Sequence, residues 1–422
     1  MTGDTSKTRQ GLNAYIVVTL AYWAFMFCDG ALRMLVLLHF HTLGFSPIQL
    51  AYLFLLYEFM GMITNLSAGW ISARYGLTRT LYAGLALQVV ALLALRMQDP
   101  NWAIATSVVF VMLVQGVSGV AKDLAKMSAK SAVKVLAPET GGDLFRWVAV
   151  LTGSKNAIKG LGFLIGAALL GIAGFQATLL GMAVMLAVIL VLVIAFMPTG
   201  LPTGRADVKF RDVMPKNRAV TLLSLARVFL FGARDIWFVV GIPIYFQVVL
   251  SDGSEAGNRA AFFQIGAFMA AWVIGYGVVQ AWTPRLVGGS DRPIATIVRS
   301  AATWAIALTS IPLILSALVF AAGQPQDWLT IALVAGLLLF GFVFAVNSAL
   351  HSYLILAFAR TQNVTLDVGF YYMSNAAGRL LGTLFSGLSY QIGGLWLSLF
   401  LAGVFVAVSF GVTRKLGELD FS

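Results

Sequence analysis

PTGLPTGRADVKFRDVMPKNR, residues 198–218, is the only long hydrophilic segment in the chain, and it divides an otherwise apolar sequence in two. It carries Arg205, Lys209, Arg211, Lys216 and Arg218 between prolines, with no apolar period. Before it, apolar runs occupy approximately 13–40, 47–73, 80–96, 102–128, 146–170 and 174–197. After it they occupy approximately 219–249, 260–283, 298–321, 328–356, 367–390 and 393–413. A helix rising about 1.5 Å per residue needs roughly 20 residues to cross the hydrocarbon of a bilayer, so each run is long enough to cross once. The spacing predicts an all-α membrane protein of twelve transmembrane helices, or spans, in two six-helix halves, 1–197 and 219–422, joined by the linker 198–218.

Composition agrees. Of 422 residues, 59% are hydrophobic and 11% charged, against about 25% charged in a soluble domain. A soluble chain this apolar would have too little polar surface to stay dispersed. The run at 13–40 is too long for a signal-peptide core and ends in no small-residue cleavage site, so it is expected to remain as a helix. The single cysteine, Cys28, lies inside that run, which excludes an intramolecular disulfide and a thiolate metal cage. No nucleophile–base–acid set, metal-ligand spacing or phosphate loop is present, so neither a cofactor nor an enzyme is expected.

Basic residues favour the cytoplasmic side. With Lys7 and Arg9 inside, that side also collects Arg74, Arg79, Lys134, Arg146, the linker cluster, Arg285, Arg292, Arg360, Arg414 and Lys415. The opposite loops hold Arg96 and Arg259. The predicted location is an inner membrane, with both termini cytoplasmic. The net charge of +11 is then mostly topology rather than a nucleic-acid surface.

The loop between the second and third spans, Gly69-Trp-Ile-Ser-Ala-Arg74-Tyr-Gly76-Leu-Thr-Arg79, resembles the G-x-x-x-D-R-x-G-R-R loop of the major facilitator superfamily, with Ala73 where the acid is expected. The superfamily also joins two six-helix halves by a cytoplasmic linker and binds its substrate near the midplane between them. The resemblance implies a gating role for Gly69, Arg74, Gly76 and Arg79. An ordinary positive-inside loop is the other reading. A second repetition supports paired halves: Asp29-Gly-Ala-Leu-Arg33 in the first span and Gly232-Ala-Arg234-Asp235 in the seventh each set an acid and an arginine beside a Gly-Ala step.

A charge at the bilayer centre costs about 2.5–3.5 kcal/mol on insertion scales and is expected to face protein or water. Spans 3, 6, 9 and 12 have almost no interior charge; spans 1, 2, 4, 5, 7 and 11 carry it. The basic candidates are Arg33, Lys122, Lys126, Lys130, Lys155, Lys159, Arg227, Arg234 and Arg379, and the acidic ones Asp29, Glu58, Asp123 and Asp235. Lys130 and Arg227 are placed near the inner interface, where they can snorkel. The remaining excess of cations predicts an anionic cargo, with Arg33, Lys122, Lys126, Lys155, Lys159, Arg234 and Arg379 as the substrate-binding set. Lys122, Lys126, Lys130 and Lys134 recur every four residues and form a stripe, tolerable only if acids or anions neutralise it. Arginine offers the fixed fork that grips oxyanions, and lysine a weaker, mobile contact. The carboxylates Asp29, Glu58, Asp123 and Asp235 are either structural partners, as Asp29–Arg33 and Asp235–Arg234, or proton carriers. Glu58 has no basic neighbour at helical spacing and is the first choice for coupling. His39 and His41 are expected to anchor at the interface, while His351 either contacts substrate or packs as a polar residue.

Several stretches resemble the organoarsenical efflux transporters of bacterial arsenic-resistance operons. They are Ala21-Tyr-Trp-Ala-Phe with Asp29 through His41, Phe54-Leu-Leu-Tyr-Glu58-Phe, Ala121 through Lys130, Thr152-Gly-Ser-Lys155-Asn, and Phe231-Gly-Ala-Arg-Asp235-Ile-Trp-Phe-Val. This resemblance implies export of 1-arseno-3-phosphoglycerate, made by glyceraldehyde-3-phosphate dehydrogenase when arsenate replaces phosphate. That dehydrogenase would be a metabolic partner, and the permease itself is expected to be a monomer. An inward organophosphate or phosphate exchanger is the alternative, and the positive excess argues against a cationic-drug exporter.

Overall fold

The computed structural model describes residues 2–136, 143–197, 217–286, 293–358 and 364–419. Most of the linker, at 198–216, lies outside them, as do Arg292 and Arg360 and the side chains of Lys7, Arg9, Lys130, Lys134 and Arg146.

Among the described residues all regular secondary structure is helical, as a bilayer requires when no water is present to satisfy backbone N–H and C=O groups. Its helices are α1 (Thr2–Thr42), α2 (Pro47–Leu95), α3 (Ile104–Leu136), α4 (Asp143–Phe196), α5 (Arg218–Ile236), α6 (Ile242–Leu250), α7 (Glu255–Leu286), α8 (Ile294–Ala322), α9 (Asp327–Phe358) and α10 (Val364–Leu416). Three of them are pairs of spans run together across a glycine at positive φ: Gly76 at 75° in α2, Gly174 at 79° in α4 and Gly394 at 69° in α10. An L side chain rarely adopts that backbone, so glycine is what lets the chain reverse there without a loop. In the opposite sense, α5 and α6 form one span through a π-helical turn at Trp237–Gly241. Counted this way the bundle has twelve spans. The three glycine reversals fall at the junctions of spans 2–3, 5–6 and 11–12, the same place in the first, second and fourth three-helix repeats.

Close packing depends on glycines. A Cβ on Gly162 would lie 2.3 Å from the Phe27 carbonyl oxygen, and one on Gly30 2.4 Å from that of Lys159, so spans 1 and 5 touch backbone to backbone. Spans 7 and 11 repeat this: a Cβ on Gly378 would lie 2.2 Å from the Val228 carbonyl oxygen, and one on Gly382 2.7 Å from that of Gly232. Between the halves, a Cβ on Gly387 of span 11 would lie 2.5 Å from the Pro47 carbonyl oxygen of span 2, and one on Gly266 of span 8 would lie 2.8 Å from the Ala167 side chain of span 5. The sequence-level repeat of Gly-Ala steps in spans 1 and 7 therefore corresponds to a repeated contact.

Burial follows the charge pattern. The apolar windows of spans 1 and 7 are 78% and 83% buried, against 33% for span 9. Exposed Val90, Val184, Val188, Val191, Ile306, Ile314 and Phe400 lie on spans 3, 6, 9 and 12, the outward positions expected of charge-free helices.

Candidate functional site

A cavity of about 270 Å³ lies between the halves, lined by spans 1, 2, 4, 5, 7, 8, 10 and 11 and by none of the charge-free four. Eight cationic side chains line it: Arg33, Lys122, Lys126, Lys155, Lys159, Arg227, Arg234 and Arg379. Three carboxylates share the wall, Glu58, Asp123 and Asp235, and Asp29 stands directly behind Lys159. Among these described residues the formal excess is four positive charges.

The pairing is tertiary rather than local. Lys159 Nζ bonds Asp29 at 2.6 Å, and Tyr57 Oη donates to the same carboxylate. The expected Asp29–Arg33 pair does not form. Those two residues sit about a turn apart on one helix, but Asp29 is claimed by span 5, and Arg33 reaches Glu58 on span 2 at 3.3 Å. Glu58 is likewise not the isolated carboxylate its local sequence suggests, because Arg379 bonds it at 2.5 Å from 321 positions away. Asp235 does pair with Arg234, at 2.6 Å, and Arg379 also reaches it at 3.4 Å. Lys126 holds Asp123 and Asn65 at 2.6 Å each, and Thr64 donates to Asp123 at 2.6 Å. The acid within the lysine stripe neutralises part of it, as the i, i+4 repulsion required.

These contacts obey the repeat. The acid of span 1 pairs with a cation of span 5, Asp29 with Lys159; the acid of span 7 pairs with one of span 11, Asp235 with Arg379. Both cations sit close to a glycine that brings their helices together, Gly162 in one case and Gly378 in the other. Close approach is what lets side chains of this length meet in register. Glu58 breaks the symmetry by joining the halves through Arg379.

Two sequence placements change. Arg227, expected to snorkel at the interface, is 4% exposed and forms part of the cavity wall, its guanidinium 3.9 Å from the centroid of the Phe231 ring. His351 is 1% exposed and is not among the lining residues, which favours the packed-polar reading. His39 stacks on Phe175 with ring centroids 3.9 Å apart, near the end of span 1. Cys28 is a buried, free thiol. In the span 2–3 loop Gly76 makes the tight reversal, Arg74 lies over Trp70 at 5.4 Å, and Arg79 is exposed. Among the described residues neither arginine has a carboxylate within ion-pair distance, and the side chain of Ala73 lies outside them. The flanking sequence gave no signal for Asn65, Asn156, Tyr276, Gln280, Ser352, Tyr372 and Asn375, the neutral polar part of the lining.

Residues 18–324 match the family model described as Major Facilitator Superfamily. The chain belongs to that superfamily. No curated protein sequence matches it. Among solved structures, superfamily-like folds cover nearly its whole length. A POT family transporter in complex with 5-aminolevulinic acid superposes with a TM-score of 0.72 at 14% identity, over 95% of this chain and 96% of that one. A POT family transporter in complex with a thioalcohol-conjugated peptide gives 0.71 at 13%, over 95% and 96%. A mutant of the nucleoside transporter NupG gives 0.68 at 14%, over 96% and 99%. At these identities the likeness is one of fold. A Major Facilitator Superfamily fold, with membrane-crossing helices around a polar central cavity, is the architecture of a transporter rather than of an enzyme.

Proposed function

We propose that the protein is an efflux permease for a small polyanionic organoarsenical, working by alternating access from an inner membrane with both termini in the cytoplasm. The observation that carries the anion is the charge count of the cavity, eight cations against four carboxylates. Buried cations without counter-charge are costly, so a mobile anion is the natural complement. The arsenate ester itself, 1-arseno-3-phosphoglycerate, rests on the family resemblance of spans 1, 2, 4, 5 and 7. A molecule with a phosphate and an arsenate suits a wall where paired arginines and lysines stand close together, because fork-shaped guanidiniums bind oxyanions through two N–H groups at once.

The division into halves 1–197 and 219–422, monomeric action and metabolic dependence on glyceraldehyde-3-phosphate dehydrogenase belong to the same reading. The test is uptake of freshly generated arseno-phosphoglycerate into inverted vesicles, with and without a proton gradient. Accumulation above that of vesicles lacking the protein is expected, and arsenate resistance of a sensitive host should need both permease and dehydrogenase. Full resistance from the permease alone would point to free arsenate. Net movement only in the opposite sense would make the protein an organophosphate importer.

A further inference from the structure

Arg227 is the one lining arginine that forms no ion pair among the described residues. Arg33, Arg234 and Arg379 each hold a carboxylate. Arg227 donates through Nη1 to the Ser348 carbonyl at 3.0 Å, and its Nε is buried without a partner. It is 4% exposed and held against two rings, Phe231 at 3.9 Å and Tyr371 at 5.0 Å. A permanently charged group buried on aromatic faces, with an open donor and no acid, is arranged for a counter-ion that the protein does not itself supply.

Its surroundings differ from the rest of the wall. The lining near it comes from Tyr276, Gln280 and Ser352, which are neutral donors and acceptors. Tyr276 and Gln280 meet on the Ser348 hydroxyl at 3.3 and 3.2 Å, next to the carbonyl that Arg227 holds. Arg234 stands two helical turns further along the same face of span 7. Both guanidiniums lie against the Phe231 ring, whose centroid is 3.9 Å from Arg227 and 4.9 Å from Arg234. The two guanidiniums are therefore less than about 9 Å apart, each on a face or edge of one ring. Glu58 and Asp235 are held by Arg33, Arg234 and Arg379 at the other end of this spacing, while Asp123 and Asp29 are held by Lys126 and Lys159.

We propose that Arg227, with Gln280 and Ser352, forms a second oxyanion subsite, so that the cavity takes a short molecule with an anionic group at each end. This rests on the anion-transport reading and adds a geometry to it. The ion-paired cluster of Arg33, Arg234 and Arg379 receives one head group, Arg227 the other, and the Phe231 ring packs against the carbon chain between them.

The test uses the purified full-length protein and two probes, inorganic phosphate and propanediol bisphosphate, with affinities measured by calorimetry. The wild type should bind the two-headed probe at least tenfold more tightly than phosphate. Arg227→Gln should bring the two-headed probe to within about threefold of phosphate while changing phosphate affinity little. Arg227→Lys, which keeps the charge and guards against loss of fold, should retain an intermediate preference. Equal wild-type affinities for the two probes, or an Arg227→Gln variant that keeps its preference, would overturn the second subsite while leaving anion transport standing. A wild type that binds neither probe would remove the anion reading and the subsite with it.

Discussion

Replacing Glu58 by glutamine removes one negative charge from a site where two arginines converge. Glu58 is 1% exposed and accepts from Arg33 at 3.3 Å and Arg379 at 2.5 Å. Arg379 retains Asp235 at 3.4 Å, whereas Arg33 is left with the rings of Phe54 and Tyr57, 5.1 and 5.9 Å away. The loss therefore falls mainly on Arg33. Charges about 4 Å apart interact by about 4 kcal/mol at an effective dielectric of 20, and breaking buried pairs costs about 3–5 kcal/mol. The variant should lose stability of that order when no anion is present. An anion at 100 times its dissociation constant returns about 2.7 kcal/mol, and more where it also fills the vacated carboxylate position. Denaturant unfolding of both proteins in detergent, with and without propanediol bisphosphate, measures this. The variant should be stabilised more by the anion than the wild type, since on the proposed reading cargo and Glu58 compete for the same guanidiniums. Equal stabilisation of the two proteins would refute that competition. An anion-free variant as stable as the wild type would refute the assigned pairing.

Gly162→Val places a side chain 2.3 Å from the Phe27 carbonyl and should separate spans 1 and 5, breaking the 2.6 Å Lys159–Asp29 bond; transport should be lost, with a stability cost of about 1–3 kcal/mol. Gly181→Ala, with nothing within 4 Å of the added carbon, is the control and should leave both unchanged. Lys159→Met should abolish transport and destabilise the protein by about 3–5 kcal/mol, because Asp29 loses its ion-pair partner and the Tyr57 hydroxyl is its remaining hydrogen-bond donor among the described residues. Adding Asp29→Asn should recover more than about 1 kcal/mol of that loss without restoring transport, as a double-mutant cycle of unfolding would show. Strict additivity would exclude the pair.

The fold was legible because a bilayer fixes the length of each crossing, and twelve apolar runs leave little freedom. The reversals were legible as breaks between apolar runs, at a recognisable loop for Gly76 and at the run boundaries 170/174 and 390/393 for Gly174 and Gly394. Charges that avoid lipid sorted the helices correctly, since the cost of exposing one is a local property. Partners were not legible. Helical spacing suggested Asp29 with Arg33, but the packing of Gly30 on Lys159 turned Asp29 toward span 5. Glu58 looked isolated because its second arginine comes from the other half of the chain. Arg227 was misplaced because position along a span does not tell an interfacial arginine from one held on Phe231 and Tyr371. Neutral lining groups such as Asn156 and Gln280 gave no signal, because similar side chains, Gln88 and Ser118 among them, bond one another at 2.7 Å in spans 3 and 4, outside the cavity lining.

The ion pairs also constrain how such a cavity could alternate. Asp29–Lys159 lies within one half and Asp235–Arg379 within the other, so both survive a rigid-body rocking of the halves. Glu58–Arg379 spans the two and does not. If the halves part at this point while the cavity is empty, Glu58 and Arg379 separate in a poorly hydrated interior, at about 3–5 kcal/mol. On the proposed reading, an oxyanion bound at Arg379 takes the place of Glu58 before the halves move, and that cost is no longer incurred. Moving a two-state equilibrium from one side to the other takes about 5.5 kcal/mol of differential binding, and exchange at this one pair supplies most of it. On the proposed reading Glu58 is thus a competitor of the cargo rather than a contact for it, and the Glu58→Gln variant should cycle between its two states without cargo more readily than the wild type.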